Sequence, residues 1–138
     1  MTQTVLIVDE DVNARIIAET LLRTRGVPVR IAADGIEACD LVRHQGAAVV
    51  VLDLALSGMN GLEVIRRLCG RFEPLPAPTR PYIIVLSDRD EPEVERFALR
   101  LGADVFLRKP LNPREFVTTV EQIISGDAMP HEPMAYAG

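Results

Sequence analysis

Five short apolar runs punctuate the chain: Thr4–Val8, Pro28–Ala32, Ala48–Asp53, Tyr82–Leu86 and Asp104–Leu107. The first, third and fourth are continuous in Val, Ile and Leu instead of alternating with polar residues. Strands that read this way are covered on both faces, as in a parallel sheet. Helix signals fill the stretches between. Val12–Arg25 is followed by Gly26, a good residue for leaving a helix. Asp34 with Glu37 makes a capping-box-like start to a helix running to about Gln45. Asn60 or Gly61 opens a third helix, to about Cys69. Asp90, Pro92 and Glu93 start a fourth that ends at Gly102, and Asn112, Pro113 and Glu115 start a fifth that reaches Ile124 before Gly126.

Strict alternation of strand and helix predicts an α/β fold: a doubly wound, five-stranded parallel sheet in the order 2-1-3-4-5, with five helices on its two faces. The 138 residues suit one domain, expected over residues 1–126. Two segments fall outside the alternation. Gly70–Pro81 carries Pro74, Pro76, Pro78 and Pro81, which predicts an extended surface loop. Asp127–Gly138 has two prolines and little apolar periodicity, and is expected to be a disordered tail.

Composition narrows the function classes. With 48% apolar and 25% charged residues the chain reads as a folded soluble protein. A net charge of -5 argues against a nucleic-acid surface, and at 138 residues no attached DNA-binding domain is expected. The longest apolar run, Ala47–Leu52, is far below the ~18 residues of a membrane span, and Met1–Thr4 lacks the basic start of a signal peptide. The expected location is the cytoplasm. Cys39 and Cys69 form no metal-binding or disulfide pattern and read as free thiols.

Open α/β sheets bind ligands at the carboxyl ends of their strands. Here those ends read Asp9-Glu10-Asp11, Asp53, Ser87-Asp88 and Lys109-Pro110, while the second strand ends in Ala32-Ala33. Of fifteen cationic side chains fourteen are Arg, and the one Lys is Lys109. No glycine-rich dinucleotide loop, phosphate-binding P-loop or serine nucleophile elbow is present, and His44 and His131 lie away from the strand ends. Clustered carboxylates repel, and a hard divalent cation relieves them; Mg²⁺ with retained waters is the natural choice. A carboxylate beside bound Mg²⁺ is a phosphoryl acceptor. In that chemistry Lys109 would pair with one phosphoryl oxygen and the Ser87 hydroxyl would donate to another.

The segments VLIVDED (Val5–Asp11), VVLDLALSGMNGLEVI (Val50–Ile65), VLSD (Val85–Asp88) and GADVFLRKP (Gly102–Pro110), in this order and spacing, resemble the receiver domain of bacterial two-component response regulators. The resemblance covers Thr4 to about Ser125 and is strongest to the single-domain, chemotaxis-regulator type. It implies that Asp53 is the phosphoacceptor and that Asp9, Glu10, Asp53 and the backbone carbonyl of Ala55 hold Mg²⁺. It further implies that Ser87 is the switch hydroxyl, Phe106 the switch aromatic, and Lys109, before a cis bond to Pro110, the phosphate partner.

The implied protein is a phosphoacceptor signalling domain that catalyses only its own phosphorylation and dephosphorylation. Its donor would be a sensor histidine kinase or histidine phosphotransfer protein. Its output would be a protein target bound through the fourth helix, fifth strand and fifth helix (Glu91–Leu101, Asp104–Leu107 and Asn112–Ile124). Four features depart from the usual family pattern. Ser57 replaces a common Pro, expected to loosen the loop after Asp53. Asp88 follows the switch hydroxyl where a small residue is usual, expected to repel an incoming phosphoryl group. Phe106 replaces the commoner Tyr, and the proline-rich loop is long. The alternative reading is a pseudo-receiver that binds partners without phosphorylation. An Asp-nucleophile phosphatase of the haloacid-dehalogenase type would need a second Asp where Ala55 stands.

Overall fold

The computed structural model describes residues 3–69 and 80–126. In chain order the elements are β1 (Val5–Val8), α1 (Val12–Arg23), β2 (Val29–Ala32), α2 (Gly35–Gln45), β3 (Val49–Asp53), α3 (Gly61–Leu68), β4 (Tyr82–Ser87), α4 (Pro92–Leu101), β5 (Val105–Arg108) and α5 (Pro113–Ser125). All strand pairs are parallel, and the sheet runs β2-β1-β3-β4-β5 as the alternation predicts. The expected loop at Gly70–Pro81 falls largely, and the expected tail wholly, outside the described residues.

The unbroken apolar runs now have a physical reason. Successive strand side chains point to opposite faces, and here both faces are core. Leu6, Val8, Val50, Leu52, Ile83 and Val85 pack against Val42 of α2, Ile65 and Leu68 of α3 and Leu101 of α4. The residues between them, Val5, Ile7, Val49, Val51, Ile84 and Leu86, pack against Leu22 of α1 and Phe116, Val120 and Ile123 of α5. β2 lies at the sheet edge, and its central residues Arg30 and Ile31 are accordingly not buried.

Two boundaries differ from the expected ones for local reasons. Asp90 does not start α4. Its N-cap is Glu91, which makes no side-chain cap and is held instead by the Arg89 guanidinium at 3.0 Å, so Pro92 in the first turn sets the start. Asp104 lies before β5, where its carboxylate accepts the Ile83 N–H at 2.8 Å and its own N–H donates to the Ile83 carbonyl at 2.8 Å. That double contact fixes where β5 joins β4.

Register carries the strand ends to one edge: Val8 is level with Leu52, Asp53 with Leu86, and Ser87 with Arg108. The turn after β3 is held close by α3. Asn60 caps α3 through the Glu63 N–H at 3.0 Å, and the Gly61 N–H donates to the Leu54 carbonyl at 3.2 Å. A methyl group on Gly61 would stand 2.5 Å from Leu54 Cα and 2.9 Å from the Asp53 carbonyl oxygen. Both are backbone atoms that cannot rotate away. Gly61→Ala should therefore cost about 1–3 kcal/mol of stability, the usual penalty for overpacking. Urea denaturation of the two proteins checks this, and coincident midpoints would refute the close-approach argument.

Candidate functional site

Each acid at the carboxyl edge has a different local assignment. Asp11 caps α1, its side chain accepting the Asn13 N–H at 2.9 Å and the Ala14 N–H at 3.4 Å. Asp9, just past β1, is buried, and its Oδ1 accepts the Asp11 N–H at 2.9 Å. Asp53 ends β3, also buried, with Oδ1 accepting the Ala55 N–H at 3.1 Å. The remaining oxygens of these two, both Oδ2, lie 3.3 Å from the Lys109 Nζ. One ammonium thus bridges two buried carboxylates supplied by separate strands.

Lys109 is positioned through its backbone. Its N–H donates to the Ser87 carbonyl at 2.8 Å, and the bond to Pro110 is cis, as the resemblance implies. Ser87 is 1% exposed, and its Oγ accepts the Arg89 N–H at 3.0 Å, which keeps the hydroxyl hydrogen as its donor. Phe106 packs on the core face shared with α4, and Arg108, two residues on and so on the same face of β5, stands 5.6 Å above the ring. Arg108 also donates to the Arg89 carbonyl at 2.8 Å and pairs with Glu95 of α4 at 3.1 Å.

The charges fit this geometry. Burial pushes the Asp9 carboxyl above the ordinary carboxylate range, and Asp53 adds to the rise, against the opposing Asp11 N–H and Lys109 ammonium. Burial works against the Lys109 charge, yet Asp53 and Asp9 outweigh it and hold the ammonium above the usual lysine value. Burial also raises both thiols, Cys39 and Cys69, which are free and poorly nucleophilic. Asp88 is exposed on the bend after β4, where its charge acts on Arg89. His44 is exposed in the last turn of α2, and His131 lies outside the described residues.

The expectation of three converging carboxylates is met by two. Among the described residues no three Asp, Glu, His or Cys side chains come together as a metal-holding group. Glu10 is the missing member. Its Oε1 accepts the Ser57 N–H at 2.9 Å and its Oε2 accepts the Ser57 hydroxyl, so the side chain is turned to the loop after β3. That contact also corrects the expectation that Ser57 loosens the loop: it ties the loop to the segment that follows β1. The two carboxylates that remain together still suit Mg²⁺, which is commonly held by one or two carboxylates and keeps its waters. The Lys109 ammonium shows that the pair accommodates a cation. Sequence reasoning missed the partners of Glu10 and Arg108, because contacts 47 or 13 residues apart leave no periodic trace.

Comparison with known proteins matches this arrangement to a family. The model of the response regulator receiver domain matches residues 5–121. A putative response regulator from Chloroflexus aurantiacus superposes with a TM-score of 0.80 at 28% identity, over 91% of this chain and 99% of that one. The chemotaxis protein CheY4 of Vibrio cholerae gives 0.77 at 26% identity, over 89% and 99%. The receiver domain of a Pseudomonas aeruginosa sensor histidine kinase, with magnesium coordinated in its active-site cleft, shares the fold at 0.78 and 23% identity, over 91% and 99%. With five parallel strands in matching order and a family model spanning most of its length, the chain belongs to the response regulator receiver domains.

Proposed function

We propose that residues 1–126 form a phosphorylation-switched binding module in which Asp53 accepts a phosphoryl group from a phosphohistidine. The donor is carried by a sensor histidine kinase or histidine phosphotransfer protein. One observation carries this reading: the Lys109 ammonium stands 3.3 Å from both Asp9 and Asp53 at the ends of three strands. A carboxylate oxygen of Asp53 attacks phosphorus, the bond from phosphorus to the histidine nitrogen breaks, and an acyl phosphate forms. Lys109 leaves its carboxylate partners in part to pair with one phosphoryl oxygen, and the Ser87 hydroxyl donates to another. Asp9, Asp53, the Ala55 carbonyl and Glu10 would hold Mg²⁺, which supplies charge neutralisation for the phosphoryl oxygens. The magnesium-bearing neighbour supports that assignment by analogy.

Output follows from what the new group pulls on. Drawing the Ser87 hydroxyl toward the phosphoryl group shifts the β4–α4 turn and frees space for the Phe106 ring, a population shift biased by added charge. The face that changes is α4, β5 and α5, where Phe97 and Leu99 of α4 are exposed apolar residues suited to a protein partner. On α1, Val12 and Ile16, one turn apart and exposed near the acidic edge, offer the donor protein apolar surface. No helix among the described residues is long and apolar enough to cross a membrane. The pseudo-receiver reading has one observation in its favour, the engagement of Glu10 by Ser57. Phosphorylation chemistry separates the two readings.

With acetyl phosphate and Mg²⁺ the wild type should gain one phosphoryl mass, and Asp53→Asn should gain none while melting as one folded unit. Intact-mass spectrometry reads both, and an Asn variant that gains the mass at the wild-type rate would place the acceptor elsewhere. Mg²⁺ at ten times its dissociation constant should raise the melting temperature by roughly 4–7 °C. A flat titration would favour the pseudo-receiver. Phosphorylation should change amide exchange over Glu91–Leu107 more than over α1, and equal changes throughout would mean stabilisation without a directed switch.

A further inference from the structure

Ser57 sits four residues after Asp53 in the loop that leads to α3, and both of its donors are spent on one side chain. The backbone N–H reaches Glu10 Oε1 at 2.9 Å, and the hydroxyl reaches Glu10 Oε2. A proline at this position, the common residue in the resemblance noted above, has neither donor. The contact is therefore a property of this chain's own sequence.

Its electrostatic effect is local. Asp9 and Asp53 already oppose one ammonium with two buried carboxylates. A third carboxylate at that point would add repulsion with no cation to answer it. Two charge-assisted hydrogen bonds from Ser57 satisfy the Glu10 carboxylate away from the pair. We propose that Ser57 is a positioning residue that withholds Glu10 from the acidic edge and so sets the Mg²⁺ concentration at which the site fills. The inference rests on the Mg²⁺ reading above. A cation that recruits Glu10 must displace both Ser57 donors, and apparent affinity falls by the fraction of molecules in which Glu10 is free.

Calorimetric titration of the full chain with MgCl₂ tests this. Ser57→Ala removes the hydroxyl and Ser57→Pro removes both donors, so affinity should rise in the order wild type, Ala, Pro. The total gain should be about three- to ten-fold, the range for a competent conformer populated at roughly a tenth to a third. A gain of affinity cannot come from a misfolded variant, and Ser57→Thr, which keeps both donors, should bind as the wild type does. In a Glu10→Ala background the Ser57 substitutions should have no effect on affinity. In the wild type, Mg²⁺ should also move the Ser57 amide proton resonance upfield as its bond to Glu10 opens. Equal, measurable affinity in the wild type and both Ser57 variants would overturn the proposal and leave the Mg²⁺ reading standing. Weaker binding in the variants would overturn it too, since Ser57 would then be helping Glu10 toward the metal. Absence of Mg²⁺ binding in all of them at tens of millimolar would overturn the Mg²⁺ reading, and the role of Ser57 with it.

Discussion

Two buried carboxylates share one ammonium at the edge of this sheet, and the geometry around them is organised by that shortage of positive charge. Removing one partner from a buried ion pair commonly costs about 3–5 kcal/mol, because the remaining charge is left without an answer. Here the imbalance exists in the intact protein: Lys109 stands equally far from Asp9 and Asp53, and backbone N–H groups of Asp11 and Ala55 satisfy the other carboxylate oxygens. A compact ammonium suits a point between two carboxylates better than a planar guanidinium fork does. That explains why a chain otherwise stocked with arginine has lysine at this position.

The edge depends on sheet register more than on any loop. Asp9, Asp53 and Lys109 come from strands that do not all touch, so their side chains meet only because β1, β3, β4 and β5 are aligned in sequence. The double contact of Asp104 with Ile83 sets the β4–β5 alignment at one end, and the Lys109 N–H to the Ser87 carbonyl sets it at the other. Core packing on both faces then holds the strands against slippage, since a shift by one residue would exchange the two core faces. Gly61 supplies the remaining condition, a helix start close enough to brace the backbone just after Asp53.

The chain announces most of this in its apolar spacing. Val49, Val50, Val51 and Leu52 can be continuous only if both faces are covered, and that single fact leads to a parallel sheet and to the placing of Asp53 at its edge. Asp9, Ser87 and Lys109 follow from the same rule about strand ends. What the chain does not announce is how neighbouring polar groups divide the work. Asp9, Glu10 and Asp11 are adjacent and chemically alike, yet one faces the ammonium, one is turned to Ser57 and one caps α1. Likewise Asp90 does not cap α4: Glu91 takes the N-cap position while Arg89 holds its carboxylate. Such choices depend on side chains distant in sequence or on competition within a turn, and neither leaves a period to read.

Arg108 joins three parts that sequence leaves separate: the Phe106 ring, the Arg89 carbonyl in the turn after Ser87, and Glu95 on α4. A guanidinium that leaves any one of these gives up geometry it needs for the other two. The ring, the turn and the helix are therefore geared to one another, and displacement of one becomes torque on the rest. In the proposed switch, a linkage of this kind would carry a small movement at Ser87 to the outer face of α4 through a single side chain.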